Sequence, residues 1–211
     1  MNWIKHLLTY PARLRRSHGF GVHSPFAYHF ITRVLREREA AYYAYPEIAA
    51  YCPKARRAGF NEIFAGRDMA IPEAQMLFRI LCFFNPHEIV EVGNGHETTG
   101  IIYLRAVPRA KAYLFQTSRT EASLSGKDPL IIMVNQVTEE EYDEVKEFID
   151  RMLQSRETVV FMRHMHSLDT IRMLWQHIIT TSTHGMGFFD SYTGIFVSRS
   201  GLPSQTFEIL M

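Results

Sequence analysis

The stretch Ile89-Val90-Glu91-Val92-Gly93-Asn94-Gly95-His96-Glu97-Thr98-Thr99 decides the fold. An apolar run ends in a glycine turn, and a segment with helical character follows at once. Glycine lets the backbone approach a ligand closely, and a helix N-terminus after it favours polar or anionic ligand groups. The pattern predicts a buried strand, a tight turn and a helix, with a nucleotide site at the turn. A plain β-to-α turn without a ligand is the alternative.

The apolar run before the glycine turn is the first of several short apolar runs. They alternate with amphipathic segments along the rest of the chain. Each run is apolar on both faces, which is typical of parallel strands covered by helices. These runs are 88–92, 112–115, 130–134 and 158–162. The expected helices are 98–106, 139–153 and 168–179. The strands expected near the end, joined by short turns as an antiparallel edge, are 186–190, 194–198 and 206–210. The fold class is therefore α/β with a mostly parallel sheet.

The first 70 residues lack this alternation and predict a helical extension, 1–70, in front of an α/β domain at 71–211. Pro11 is expected to divide the first helix. Ser24 followed by Pro25 is a favourable helix start, so an amphipathic helix is expected from there to about Ala40.

The tyrosine-rich stretch 42–51 predicts a short helix and then a loop that ends near Met69. Its tyrosines could line an aromatic acceptor pocket, but covering an edge of the core is the favoured interpretation. A further amphipathic helix is expected from Pro72 to Asn85-Pro86, where the proline ends it.

Composition excludes several classes of function. The 211 residues have a formal net charge of +1, which gives no general case for nucleic-acid binding. No apolar run approaches the roughly 18 residues of a membrane-spanning helix, and no signal-peptide core is present, so a cytoplasmic protein is expected. Cys52 and Cys82 lie in apolar sequence without metal-binding spacing, which predicts inert, buried thiols.

A basic cluster near the N-terminus, Arg13, Arg15 and Arg16, follows the apolar residues Trp3, Ile4, Leu7 and Leu8. It could contact a membrane or an anionic partner. A solvated first helix is the favoured interpretation, because one short cluster is a weak signal. Neither a nucleic acid nor a membrane is therefore expected as a partner.

Several stretches resemble class I S-adenosylmethionine-dependent methyltransferases, in particular a Bacteroidetes group. They are 18–26, the glycine loop, 170–178 around Trp175, 188–197 and 201–203, which together span most of the chain. The resemblance implies a Rossmann-like methyltransferase fold with a seven-stranded sheet whose last strand is antiparallel, and S-adenosylmethionine as the cofactor. The cofactor-binding positions that it implies are Glu91, Gly93, Asn94, Gly95, Gln116 and Asn135.

The sequence departs from this family at three places. Gln116 stands where an acid should bind the ribose hydroxyls, and only Glu121 could compensate. The segment between Gln116 and residue 130 is too short for the usual helix, strand and helix, so the middle region is shortened. Asn135-Gln136 and the stretch 163–166 offer almost no carboxylates, so no magnesium or calcium site is expected.

His164 and His166 alternate at the end of a strand, so both side chains could point the same way. They are the candidate catalytic residues, as general bases. A zinc site with His177 and His184 is the less favoured interpretation, because the pattern offers no matching set of four ligands.

Two functions are consistent with these features. The first is a methyltransferase-like protein, degenerate, with weak or lost binding of S-adenosylmethionine. The alternative is an active O- or N-methyltransferase for a small-molecule acceptor, in which His164 or His166 assists deprotonation. A homodimer could form through the C-terminal sheet edge.

Overall fold

The structure, a computed structural model, describes residues 3–58, 69–93 and 97–211. Its helices are α1 (Trp3–Ser17), α2 (Pro25–His29) with a π-helical continuation (Phe30–Leu35), α3 (Tyr45–Ala58), α4 (Ile71–Phe84), α5 (Glu97–Ala106), α6 (Thr117–Ser123), α7 (Tyr142–Ser155) and α8 (Asp169–Thr181). Its strands are β1 (Glu88–Val92), β2 (Lys111–Leu114), β3 (Leu130–Val134), β4 (Thr158–Met162), β5 (Met186–Phe189), β6 (Gly194–Ser198) and β7 (Gln205–Glu208).

The strands form one sheet with the order β2-β1-β3-β4-β6-β5-β7. The first four strands are parallel, and helices cross between them on both faces, so the expected Rossmann-like α/β fold is confirmed. Strands β1 and β3 are neighbours in the sheet. The chain adds β2 on one side of β1 and then crosses back to add β3 and β4 on the other side, so the carboxyl ends of β1 and β3 flank the topological switch point. Ligands of open α/β sheets bind at such a crevice.

In the C-terminal part of the sheet, strand β6 pairs antiparallel with both β4 and β5. The expected antiparallel C-terminal edge is thus confirmed, with β6 as its antiparallel strand, while the last strand, β7, runs parallel to β5. The physical reason is the connection after β6. The segment after β6 brings the chain back beside Gly185, directly before β5. There the Gln205 amide donates to the Gly185 carbonyl at 3.2 Å. The chain therefore enters β7 in the same direction as β5.

The shortened middle region is confirmed. Between β2 and β3 the structure contains one short helix, α6, and no further strand. Strand β2 is consequently an edge strand, and Leu114 at its end is 59% exposed. Leu114 is exposed because no further strand in the described part of the chain pairs with this edge of the sheet.

Helix α1 runs from Trp3 to Ser17 through Pro11, so the expected division at this proline is wrong. Proline removes its own N–H donor and crowds the carbonyl of the preceding turn, but contacts with the sheet support the second half of the helix. Arg13 contacts Glu208 at 3.4 Å, and the Ser17 hydroxyl accepts the Leu210 amide at 2.8 Å. Helix α1 thus contacts the end of β7, at the sheet edge through which the sequence analysis allowed a homodimer.

The helix after Ser24 begins as expected, since the Ser24 hydroxyl accepts the Ala27 amide at 3.3 Å. It ends at Leu35 instead of about Ala40, and its second half is π-helical. Arg79 of α4 explains the early end, because it donates to the Val34 carbonyl at 2.6 Å and to the Leu35 carbonyl at 3.0 Å. These carbonyls therefore have partners without a further helical turn.

Hydrophobic cores lie on both faces of the sheet. Helices α2 to α5 and the π-helical turn cover one face, and α7 and α8 cover the other. Cys52 is buried as expected, but Cys82 is exposed on α4, so the expectation of a buried thiol is wrong there. Among the described residues, no helix has the length and apolar character needed to cross a membrane.

Candidate ligand site at the carboxyl ends of the strands

Gly93 begins the turn after β1 with a positive φ of +84°, a conformation that favours glycine. A Cβ atom here would lie 2.6 Å from the Gln136 carbonyl oxygen and 2.8 Å from the Gln136 amide nitrogen. The loop after β3 therefore packs directly against this glycine. Close contact between two loops accounts for Gly93 without a ligand. Asn94 and Gly95, the other predicted cofactor-binding positions of this loop, lie outside the described residues.

Glu91 of β1 is buried beneath the glycine turn. Its carboxylate accepts the Asn135 side-chain amide at 2.7 Å and the Thr99 hydroxyl of α5 at 3.2 Å. Burial raises the pKa of Glu91, and the hydrogen bonds from Asn135 and Thr99 oppose that rise. Two of the predicted cofactor-binding residues, Glu91 and Asn135, are thus bonded to each other inside the protein.

Arg163 extends this set of contacts at the end of β4. Its side chain is fully buried and donates to Glu73 of α4 at 2.7 Å and to the Asn135 side-chain oxygen at 3.2 Å. A continuous series of polar contacts therefore runs from Glu73 through Arg163 and Asn135 to Glu91 and Thr99. We call these five residues the buried polar network.

Arg163, Glu73 and Thr99 were not predicted as site residues from the sequence. The one sequence feature that could have indicated this network is weak: Arg163 is a charged residue directly after an apolar strand. Its partner Glu73 lies 90 positions away in the chain, so only the fold brings the two together. A fully buried arginine needs such a partner.

Gln116 does not join the buried polar network. It is exposed after β2, and its backbone amide donates to the Thr120 hydroxyl at 2.7 Å. Glu121, the residue that could compensate for the missing acid, forms an ion pair with Arg151 of α7 at 3.0 Å. In this structure the Glu121 carboxylate is therefore paired with α7.

A cleft of about 530 Å³ opens beside the buried polar network. Its charged, polar and aromatic lining comprises Glu37, Arg38, Glu73, Gln75, Arg79, His164, His166, Asp190, Tyr192 and Thr193, and its apolar lining comprises Leu35, Ala70, Pro72, Met76 and Met211. Its volume is in the range of small-molecule sites. Glu73 belongs both to the cleft and to the network, so the two are in direct contact.

Both predicted catalytic histidines line this cleft. His164 has a positive φ of 61°, an uncommon conformation outside glycine that often marks functional sites. The His166 ring packs against the Tyr192 ring with 4.5 Å between centroids. The Nδ1 atom of His166 is buried without a hydrogen-bond partner among the described residues. The structure thus brings the two histidines together but does not test a catalytic role.

Asp190 also lines the cleft. It accepts the backbone amides of Tyr192 at 2.7 Å and Thr193 at 2.9 Å. Burial raises its pKa above the ordinary value, although these amide hydrogen bonds act in the opposite direction. The main function of this side chain in the structure is to hold the turn between β5 and β6.

The other histidines of the sequence-based zinc hypothesis have different partners. His177 contacts Asp150 of α7 at 2.8 Å, and His184 contacts the Ser198 hydroxyl at 3.1 Å. Within residues 3–58, 69–93 and 97–211, no three His, Cys, Asp or Glu side chains form a group that could hold a metal ion.

Comparison with known proteins gives only distant similarities. No family model matches the chain, and no curated protein matches it. The O-methyltransferase TomG from Streptomyces achromogenes, involved in tomaymycin synthesis and solved with S-adenosylmethionine, is 14% identical over 76% of this chain and 92% of its own, with a TM-score of 0.45. An O-methyltransferase from Bacillus cereus, solved with S-adenosylhomocysteine, is 10% identical over 82% of this chain and 96% of its own, with a TM-score of 0.45. Similarity at this level transfers no residue's role to this chain.

Proposed function

We propose that this chain is a methyltransferase-like protein in which binding of S-adenosylmethionine is weak or lost, and that the cleft at His164 and His166 binds a small molecule. The buried polar network carries the first part of the proposal. Glu91 and Asn135 would have to face the cofactor, but their side chains already have partners inside the protein.

Two further observations support weak cofactor binding. The Gln136 backbone occupies the space against Gly93, where a ligand would approach the turn. Gln116 offers an amide in place of a carboxylate, so the charge-assisted pairing with two ribose hydroxyls is absent. These residues fit the cofactor poorly, and we derive no reaction step through it.

An active methyltransferase for a small O- or N-acceptor is the second candidate. One observation favours it: two histidines meet in a cleft of small-molecule size, and one of them has an uncommon backbone conformation. In this case His164 or His166 takes a proton from the acceptor.

Thermal unfolding with S-adenosylmethionine and S-adenosylhomocysteine tests the main proposal. A ligand present at about 100 times its dissociation constant adds about 2.7 kcal/mol to the free energy of unfolding. For a chain of this length that is roughly 5–10 °C in Tm. We expect no shift at millimolar ligand. A shift at micromolar ligand that Gly95→Glu abolishes contradicts the proposal.

Turnover with a panel of small phenols and amines tests the second candidate. If the protein transfers a methyl group, His164→Gln and His166→Gln should lower kcat while the affinity for S-adenosylmethionine stays unchanged. His184→Gln is the matched control, because His184 contacts Ser198 and does not line the cleft. Absence of any methylated product with the wild-type protein rejects this candidate for the acceptors tested.

A further inference from the structure

The charge of this protein is distributed very unevenly along the chain. Residues 1–36 contain six basic residues and no acidic one, so the formal charge of this segment is +6. Since the whole chain has a net charge of +1, the remaining residues have a net charge of −5. The basic residues of the segment are Lys5, Arg13, Arg15, Arg16, Arg33 and Arg36. A near-neutral total therefore conceals a strongly basic N-terminal part.

The arginines of α1 differ in their surroundings. Arg13 is buried and contacts Glu208 and the Ile209 carbonyl, so it holds α1 on the sheet. Arg15 and Arg16, in the last turn, are exposed. Among the described residues, no acidic side chain forms an ion pair with either of them. Their charge is therefore available to a partner.

Exposed aromatic side chains lie directly beside these two arginines. The backbone amide of Phe20 donates to the Arg15 carbonyl at 3.1 Å, and the Gly19 amide donates to the Arg16 carbonyl at 2.8 Å. Tyr28 of α2 packs its ring over Gly19, where a Cβ atom would lie 2.3 Å from the ring. Phe20 is 65% exposed and Tyr28 is 50% exposed. We call Arg15, Arg16, Phe20 and Tyr28 the aromatic–basic patch.

We propose, in contrast to the expectation from the sequence alone, that the aromatic–basic patch docks on an anionic phospholipid surface, because the structure exposes two aromatic rings near the basic cluster. Cationic side chains near such a surface are attracted to its negative potential, and aromatic rings favour the boundary between headgroups and acyl chains. A hydrogen bond from the Phe20 amide to the Arg15 carbonyl fixes the backbone of Phe20 at the last turn of α1, and its ring is exposed. Charge complementarity and exposed apolar area thus act at the same place.

A single-stranded nucleic acid is the other anionic partner that arginine and aromatic rings could bind. The lipid surface is favoured because the helix that carries the two arginines, α1, begins with the largely apolar sequence Trp3-Ile4-Lys5-His6-Leu7-Leu8. Aliphatic residues beside a basic cluster add affinity for a bilayer, whereas they contribute little to stacking on bases. This inference does not depend on the proposed function.

Vesicle binding by the full chain tests this inference. The probes are vesicles of mixed phosphatidylglycerol and phosphatidylcholine, and vesicles of phosphatidylcholine alone. We expect binding to the mixed vesicles only, weakened by added salt. Each arginine near an anionic bilayer contributes about a fivefold factor, so Arg15→Gln with Arg16→Gln should weaken binding about 30-fold. Phe20→Ser should weaken it about tenfold.

Leu114→Ala with Arg119→Gln is the matched control, because it removes an exposed apolar side chain and an exposed arginine elsewhere on the surface. It should bind like the wild type, and an unchanged Tm for each variant excludes misfolding. Three outcomes overturn the inference: no binding of the wild type to mixed vesicles at low salt, equal binding by the patch variants, or binding to a single-stranded oligonucleotide with none to vesicles.

Discussion

Arg163 joins elements that are far apart in the chain. Its guanidinium contacts Glu73 of α4 and Asn135 after β3, and Asn135 in turn contacts Glu91 of β1. A buried charge without a partner is strongly unfavourable, so each member of the buried polar network depends on the others. The network therefore explains these polar residues as structural, in the region where a cofactor was expected.

Removal of Arg163 should be among the more costly single changes in this protein. Arg163→Met leaves the Glu73 carboxylate and the Asn135 oxygen without their donor, and we expect a loss of about 3–5 kcal/mol in the free energy of unfolding. Urea denaturation measures it. Arg172→Gln, which breaks an exposed ion pair with Asp169, is the control and should cost under about 1 kcal/mol. Similar losses for the two variants would contradict the importance of the network.

The raised pKa of Glu91 predicts a specific pH dependence. In the unfolded chain this carboxyl has its ordinary pKa of 4.5, and in the folded protein burial raises it. Between these two values the folded state binds the proton more tightly, so stability falls as the pH rises through this window. Glu91→Gln cannot titrate and lacks this contribution.

The stability of the wild type relative to Glu91→Gln should therefore decrease as the pH rises from below 4.5 to above the raised pKa. Urea denaturation of both proteins across this range measures the difference. A difference that stays constant, or that grows in favour of the wild type, would show that the Glu91 carboxyl is not destabilised by burial.

The turns after β1 and β3 approach each other closely at Gly93 and Gln136. Gly93→Ala adds a left-handed strain of about 1–2 kcal/mol and also a clash with the Gln136 backbone. We expect a total cost of at least about 2 kcal/mol, because backbone atoms cannot move aside easily. Gly126→Ala is a matched control, since Gly126 has a φ of +72° but no atom near a Cβ position. Equal costs in urea denaturation would show that the contact with Gln136 is unimportant.

The sequence predicted most of the sheet, because buried parallel strands are continuous apolar runs. The bounds of β1, β3, β4 and β6 were predicted as they are found. Elements that depend on distant contacts were not predictable in the same way. Contacts between α1 and β7 support the helix through Pro11, and Arg79 bonds the carbonyls where the π-helical turn ends.

The candidate site was predictable only in outline. His164 and His166 were predicted to point the same way from a strand end, and both line one cleft, although they lie in the turn after β4. The partners of Glu91 could not be inferred, because Asn135 lies 44 positions away and only the pairing of β1 with β3 brings the two together. A residue type that fits a cofactor-binding pattern can equally serve a buried polar network, and the sequence does not distinguish these two uses.

The N-terminal helices and the sheet share a hydrophobic core. Phe30 is fully buried and contacts Phe188 of β5 with 5.0 Å between ring centroids. Phe30→Ala should therefore cost about 3–5 kcal/mol, and urea unfolding should remain one transition for the whole chain. Phe20→Ala, at an exposed position, should change stability by less than about 0.5 kcal/mol. A second transition, with the sheet unaffected by Phe30→Ala, would show that residues 1–70 fold separately.

The affinity for S-adenosylmethionine decides whether the whole molecule is a methyltransferase-like protein with weak or lost cofactor binding. Calorimetric titration of the full chain measures this affinity directly. The variant Gln116→Asp, which places an acid after β2, is titrated in the same way. Because Glu91 and Asn135 are bonded within the protein and Gly93 packs on Gln136, we predict no heat of binding for the wild type at micromolar cofactor. A micromolar Kd for the wild-type protein would contradict the account.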